Sequence, residues 1–143
     1  MMKKQKLLVL CTGNSCRSQM AEGWFRELRG DEFDVWSAGI ETHGLNPRAV
    51  KVMAEAGVDI SGHRSKLTGE LSGIDFDIVI TVCDSARGNC PYFPGNVKRF
   101  HQSFDDPPAL TKDLSDEEAI LIVYRRVRNE IKQYVKSFTP SPS

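Results

Sequence analysis

The residues best suited to chemistry stand together near the amino terminus, in the run Cys11-Thr12-Gly13-Asn14-Ser15-Cys16-Arg17-Ser18. A short apolar stretch, Lys6 to Leu10, precedes them and reads as a buried strand. Good helix formers follow from Ser18 to about Arg29, with Met20, Trp24, Phe25 and Leu28 at helical spacing. In a tight loop between a strand and a helix, successive backbone N–H groups converge on one point and form an anion nest. The helix beginning near Ser18 adds its positive end. Gly13 and Asn14 tolerate the positive φ that such a loop needs. Arg17 can set two N–H donors on a tetrahedral oxyanion, and the same positive field favours a Cys11 thiolate at neutral pH. Ser18 is placed to donate its hydroxyl to that sulfur. The bland alternative is a buried cysteine in a glycine turn, with Arg17 in a surface ion pair. Placement between a strand and a helix start favours a nucleophilic cysteine in an oxyanion cradle formed by Thr12, Gly13, Asn14, Ser15, Cys16 and Arg17.

Such a nucleophile needs an acid, because a leaving oxygen must be protonated. Asp105-Asp106-Pro107-Pro108 supplies candidates. Pro107 holds Asp106 extended and out of a helix, so its carboxyl can point into a site. Alone, this tetrapeptide is an ordinary turn; beside the cysteine loop it becomes a candidate general acid. Cys11 and Cys16 lie five apart and Cys83 and Cys90 seven apart, which fits no zinc knuckle. His43, His63 and His101 lack paired spacing, so no metal is expected and these histidines read as surface or packing residues. Cys16 reads as a small buried residue beneath the cradle, with no redox role.

The elements that must position this loop alternate along the chain. Phe33 to Ala38 is a second strand, and Pro47 to Ala56 a second helix with Gly57 just past its end. Asp75 to Val82 is a third strand and Val97 to His101 a short fourth. The last helix opens on Ser115 with Glu118 three residues later, a capping-box pattern. It carries Ile120, Val123, Val127, Ile131 and Val135 on one face. This pattern predicts a three-layer α/β/α domain with a four-stranded parallel sheet. Ligands of such folds sit at the carboxyl ends of strands, where both Cys11 and Cys83 fall. The 143 residues make one domain, with residues 138–143 as a frayed tail. About a quarter of the chain is Leu, Ile, Val and Phe, enough for a core. Nineteen basic residues balance nineteen acidic ones, so charge argues for neither nucleic acid nor membrane. Leu7 to Leu10 is too short for a membrane span or a signal peptide, so a soluble, cytoplasmic protein is expected. Cysteines in such a compartment read as catalytic rather than as a disulfide framework.

The loop Cys11 to Ser18 resembles the active-site loop of low-molecular-weight protein tyrosine phosphatases, and Asp106-Pro107 is similar to their general-acid loop. Four segments resemble more closely a related branch, the thioredoxin-coupled arsenate reductases: Cys11 to Trp24, Ser37 to Pro47, Thr81 to Pro91 and Phe104 to Pro107. The resemblance covers roughly residues 6 to 137. Gln19 also follows Ser18 where the phosphatases commonly carry proline. The second cysteine pair separates the two branches, because a phosphocysteine needs only water, whereas arsenate reduction turns one dithiol into one disulfide.

The resemblance implies a relay. Cys11 attacks arsenic while Asp106 protonates the departing oxygen; Cys83 attacks Cys11 and releases arsenite; Cys90 attacks Cys83, and the final disulfide goes to thioredoxin. The small, polar, proline-free stretch 84–89 suits a segment that rearranges between these exchanges. The implied partners are arsenate, with phosphate or sulfate as stand-ins, and thioredoxin; composition is equally compatible with glutaredoxin or a mycothiol-type reductant. The implied protein is a monomer without a cofactor. Some members of the branch bind potassium beside the loop. Asn14, Glu22 and Ser37 match that site, but Arg64 and Lys66 stand where Thr and Asp are common, so a Lys66 ammonium is expected to replace the ion. Two other readings stay open: a tyrosine phosphatase in which Cys83 and Cys90 are dispensable, and a non-catalytic oxyanion-binding domain, disfavoured by the presence of Cys11, Arg17, Ser18 and Asp106 together.

Overall fold

The computed structural model describes residues 4–83, 93 and 95–140. Four strands, β1 (Gln5–Cys11), β2 (Phe33–Gly39), β3 (Ile78–Thr81) and β4 (Lys98–His101), form one all-parallel sheet in the order β2-β1-β3-β4. The helices are α1 (Arg17–Arg29), α2 (Pro47–Glu55), α3 (Pro107–Thr111) and α4 (Glu117–Ser137). Strand β1 is continuously apolar because both its faces are covered. Leu7 and Val9 pack with Met20, Trp24 and Phe25 of α1, Val52 and Met53 of α2, and Val127, Ile131 and Val135 of α4. Leu8 and Leu10 point the other way, into a smaller cluster with Leu71, Phe76 and Val79. That second face is covered in part by a 3₁₀ turn at Thr68–Leu71 and the residues after it. The expected four-stranded parallel α/β architecture is what the chain adopts. No helix of the described residues is long and apolar enough to cross a membrane.

Several boundaries differ from expectation for local reasons. β3 is shorter than the predicted 75–82: Asp77 uses its carboxylate to accept from the Lys6 N–H at 2.8 Å, and pairing begins at Ile78. The last helix is capped by Asp116, whose Oδ2 accepts from the Ala119 N–H at 3.1 Å, so the Ser115–Glu118 box is not used. Glu118 instead pairs with Arg125. Short α3 was not expected; Pro107 stands at its first position, where a missing N–H costs nothing. The tail begins after Phe138, not at it. Phe138 is buried and meets Phe25, Phe33 and Phe100 edge-on, while Arg29 Nη1 donates to the Val135 and Phe138 carbonyls, both at 2.9 Å.

The topology places the site. β1 connects through α1 to β2 on one side, whereas β3 lies on its other side, so the order in which strands are added reverses at β1. The crevice of a parallel sheet opens at such a point, beyond the carboxyl ends of the strands. Cys11 is the last residue of β1. Leu10 pairs with Thr81 and accepts from the Val82 N–H at 2.9 Å, which brings Cys83 to the same rim. Gly39 ends β2 directly beneath the loop; a Cβ there would meet the Thr12 carbonyl oxygen at 2.5 Å, so only glycine allows this approach.

Candidate active site

A cleft of about 670 Å³ opens above β1, bounded by Cys11, Gly13, Arg17, His43, Asp106 and Leu110 among others. Cys11 is buried, 4% exposed, and carries a free thiol. The loop between it and α1 is held from behind by one residue, Asn14, which is fully buried and adopts φ +48. This is the left-handed backbone expected of Asn14. Gly13 does not share it; its missing Cβ instead makes room for the His43 ring, whose Nδ1 would lie 2.5 Å from such an atom.

Every polar atom of the Asn14 side chain is engaged. Nδ2 donates to Ser18 Oγ at 2.8 Å and Ser37 Oγ at 3.0 Å, and Oδ1 accepts from the Lys66 N–H at 2.7 Å. Gln19 Nε2 donates to both Oδ1 and the Asn14 carbonyl, each at 3.1 Å, and to the Arg64 carbonyl at 3.0 Å. All three are acceptors, so Gln19 Oε1 must face the His63 ring, which donates from Nδ1 at 3.0 Å. Burial lowers the His63 pKa, with Glu22 working against it, in keeping with a neutral ring. Ser65 Oγ donates to the Gly13 carbonyl, the Glu41 N–H to Thr12 and the Asn46 N–H to Ser15. The carbonyls of Thr12, Gly13 and Ser15 are thus pinned outward, the arrangement a nest of inward N–H groups requires. Ser18 Oγ accepts from Asn14, which leaves its own proton for another acceptor.

Arg17 and Asp106 complete the cleft. Arg17 opens α1, and its Nη1 donates to the Phe104 carbonyl at 3.2 Å. Its Nε is buried without a hydrogen-bond partner and lies 3.7 Å from Asp106 Oδ1, beyond bonding distance. An orphaned guanidinium donor on a residue that lines the cleft is what a tetrahedral anion could satisfy. Asp106 is extended, φ −90 and ψ 105, and caps α3 with its side chain uncommitted, as Pro107 demands. Neighbouring Asp105 also lines the cleft, but its carboxylate is held by Arg126 Nη2 at 2.9 Å, which leaves Asp106 as the candidate acid.

Cys16 caps α1 beneath the loop, buried at 3% exposure. Burial, then the nearby Asp106 and Cys11, push its thiol far up, against the lowering pull of Arg17. It stays a neutral thiol. Cys83 is 1% exposed, lies in the same buried cluster as Cys11 and Cys16, and is disulfide-bonded. Cys90 and the stretch 84–89 lie outside the described residues.

Behind the loop, Ser37 Oγ donates to Glu22 Oε1 at 2.5 Å. Lys66 Nζ stands 4.0 Å from the same oxygen and donates to the Arg64 carbonyl at 2.9 Å. Burial lowers the Lys66 pKa, with Glu22 raising it in return. The oxygens of Asn14 and Ser37 are already spent on protein donors and a lysine supplies the positive charge, so these residues do not fit a potassium ion. Among the described residues no group of three His, Cys, Asp or Glu side chains can hold a metal.

Three contributors escaped sequence reading. Gln19 was noted only as a departure from proline, yet it ties the loop to residues 63–64. His43 is exposed, in keeping with a surface position, and in addition walls the cleft and pairs with Glu41 at 2.6 Å. Asn46 caps α2 by accepting from Arg48 and Ala49 N–H, and its Nδ2 donates to the Tyr124 hydroxyl at 3.1 Å. Only the Asn-Pro start of that helix signalled it in the sequence.

Residues 6–141 match the family described as low molecular weight phosphotyrosine protein phosphatase. Arsenate reductase 2 of Staphylococcus saprophyticus is 49% identical over 137 residues, 96% of this chain and 98% of that protein. The arsenate reductase of Bacillus licheniformis is 50% identical over 96% of each. A solved structure described as an arsenate reductase in the oxidized state superposes with a TM-score of 0.73 at 32% identity, over 92% of this chain and 94% of that one. With that cradle at the end of β1 and relatives alike over nearly its whole length, this chain belongs to the low molecular weight phosphotyrosine protein phosphatase family and, within it, to the arsenate reductase branch.

Proposed function

We propose that this protein reduces arsenate to arsenite by three successive thiol exchanges. One observation carries the reading: Cys83 stands at the strand end beside Cys11, buried in the same cluster, and is disulfide-bonded while Cys11 is free. That is the state the last exchange would leave. A hydrolase with one catalytic cysteine has no use for it.

The chemistry balances as follows. Arsenate enters the cradle with its oxygens on the loop N–H groups and on Arg17. The Cys11 thiolate attacks arsenic, an As–O bond breaks, and Asp106 protonates the departing oxygen, which leaves as water. The Cys83 thiolate then attacks Cys11 Sγ. The S–As bond breaks with its electron pair retained by arsenic, which departs as arsenite, and the Cys11–Cys83 disulfide forms. Cys90 attacks Cys83, releasing the Cys11 thiolate and leaving a Cys83–Cys90 disulfide. A dithiol reductant, thioredoxin in this reading, takes up that disulfide and restores the enzyme. The cycle requires a reducing compartment, hence the cytoplasm, and a monomer holds every group it needs. Ser18 serves the Cys11 sulfur, and Thr12, Gly13, Asn14, Ser15 and Cys16 shape the cradle around the anion.

The test is a single-turnover thiol count. Fully reduced protein is mixed with arsenate in the absence of any reductant, and free thiols are titrated under denaturing conditions. The count should fall from four to two with one arsenite formed per chain. Four thiols remaining would leave the phosphatase reading standing instead. A second expectation concerns the cation site. Because Lys66 already neutralises Glu22, raising potassium at constant ionic strength should leave turnover within about twofold of its starting value. A severalfold activation would show that the ion displaces the ammonium.

A further inference from the structure

Beyond the cleft, a chain of polar side chains ends on Cys83. Thr81 closes β3 and His101 closes β4, and the two are paired in the sheet. Thr81 Oγ1 lies 2.6 Å from His101 Nδ1 and 3.4 Å from the Phe100 carbonyl. His101 Nε2 lies 2.9 Å from Ser103 Oγ, and Ser103 Oγ donates to the Cys83 carbonyl at 3.4 Å. In the tautomer that accepts at Nδ1 and donates from Nε2, His101 leaves the serine proton free for the Cys83 carbonyl. A neutral imidazole satisfies the whole chain, with every bond running in one direction: Thr81 to His101, His101 to Ser103, Ser103 to Cys83. Bonds ordered this way polarise one another.

We propose that Ser103, oriented by His101, is a positioning residue for the Cys83 exchange: it clasps the Cys83 backbone to the ends of β3 and β4, so that the cysteine shared by both exchanges is held against the sheet. The inference rests on the relay proposed above. Cys83 takes part in two consecutive exchanges, first as nucleophile toward Cys11, with its sulfur, the Cys11 sulfur and arsenic nearly in line, and then as the sulfur that Cys90 attacks, with three sulfurs nearly in line. Fixing the shared member shortens both searches. The clasp holds a carbonyl, which is unchanged by the oxidation state of the sulfur, so it can persist through the cycle. Ser103 and His101 are exposed, water competes for their bonds, and the effect is therefore a modest one in rate.

The experiment uses full-length Cys90→Ser protein, in which the relay stops at the Cys11–Cys83 disulfide. Reduced protein is mixed with arsenate, quenched with acid, and the disulfide is followed by alkylation and mass. In parallel, protection of Cys11 from iodoacetamide by inorganic phosphate reports the cradle alone. Adding Ser103→Ala should slow disulfide formation about fivefold, the worth of one neutral hydrogen bond, with phosphate protection unchanged. Ser103→Thr keeps the hydroxyl and should restore the rate. An unchanged rate in Ser103→Ala, a threonine variant as slow as the alanine, or a slowing accompanied by loss of phosphate protection would each overturn the clasp. A Cys90→Ser parent that forms no Cys11–Cys83 disulfide would overturn the relay itself, and the clasp with it.

Discussion

Cys83→Ser should lose steady-state arsenate turnover by at least about a thousandfold while the cradle goes on binding oxyanions. A serine hydroxyl is too weakly acidic to attack at neutral pH and cannot form a disulfide, so the S–As bond on Cys11 has nothing to break it. The substitution is nearly isosteric at a position 1% exposed, and the fold should tolerate it. The diagnostic is the contrast between two measurements. Arsenite production should vanish, and phosphate should still shield Cys11 from alkylation at the wild-type concentration. If arsenite production persists at the wild-type rate, Cys83 is dispensable and the relay does not run through it.

Arg17→Lys is expected to cut kcat/KM for arsenate about 100- to 1000-fold, the loss that follows removal of a principal anion donor. The two residues carry equal charge, so the effect isolates geometry. The Arg17 guanidinium divides its work: Nη1 is anchored on the Phe104 carbonyl, and this anchor fixes the plane that carries the buried, unpartnered Nε. A lysine ammonium is a single point and cannot occupy both places. Phosphate protection of Cys11 should weaken in step, because the same donors hold the ground-state anion. A loss confined to kcat, with oxyanion affinity intact, would mean that Arg17 acts only as charge develops on the leaving oxygen. Full activity would remove it from the cradle.

Much of this site is local, and local features were legible. The strand, the loop of small residues and the helix start are contiguous, so Cys11, Arg17 and the anion nest between them followed from about a dozen residues. Asp106 followed from the proline after it, a constraint acting on the immediately preceding backbone. What escaped is nonlocal. Arg17 is aimed by a carbonyl 87 residues away, and Gln19 braces the loop against a carbonyl 45 residues away. Neither contact leaves a mark in the spacing of either segment. His43 has no partner at any regular interval, and only the space left by Gly13 brings it to the cleft. Phe138 belongs by sequence to a polar, proline-rich end, yet the aromatic cluster it completes draws on three other elements. The capping box at Ser115 was a true local pattern that lost to a better one a single residue later.

The sequence by itself determined the candidate nucleophile Cys11 and the loop that follows it, the alternation of strands and helices and hence the parallel sheet, because each depends on backbone preferences and apolar periodicity within a few residues. Only the tertiary structure decided that Asn14 is the strap behind the loop, that Arg126 pairs with Asp105, and that Ser103 reaches the Cys83 carbonyl. Those are single hydrogen bonds and ion pairs between distant segments. Their existence depends on ångström-scale separations set by how the sheet registers and the helices pack, and no residue pattern along the chain encodes such separations.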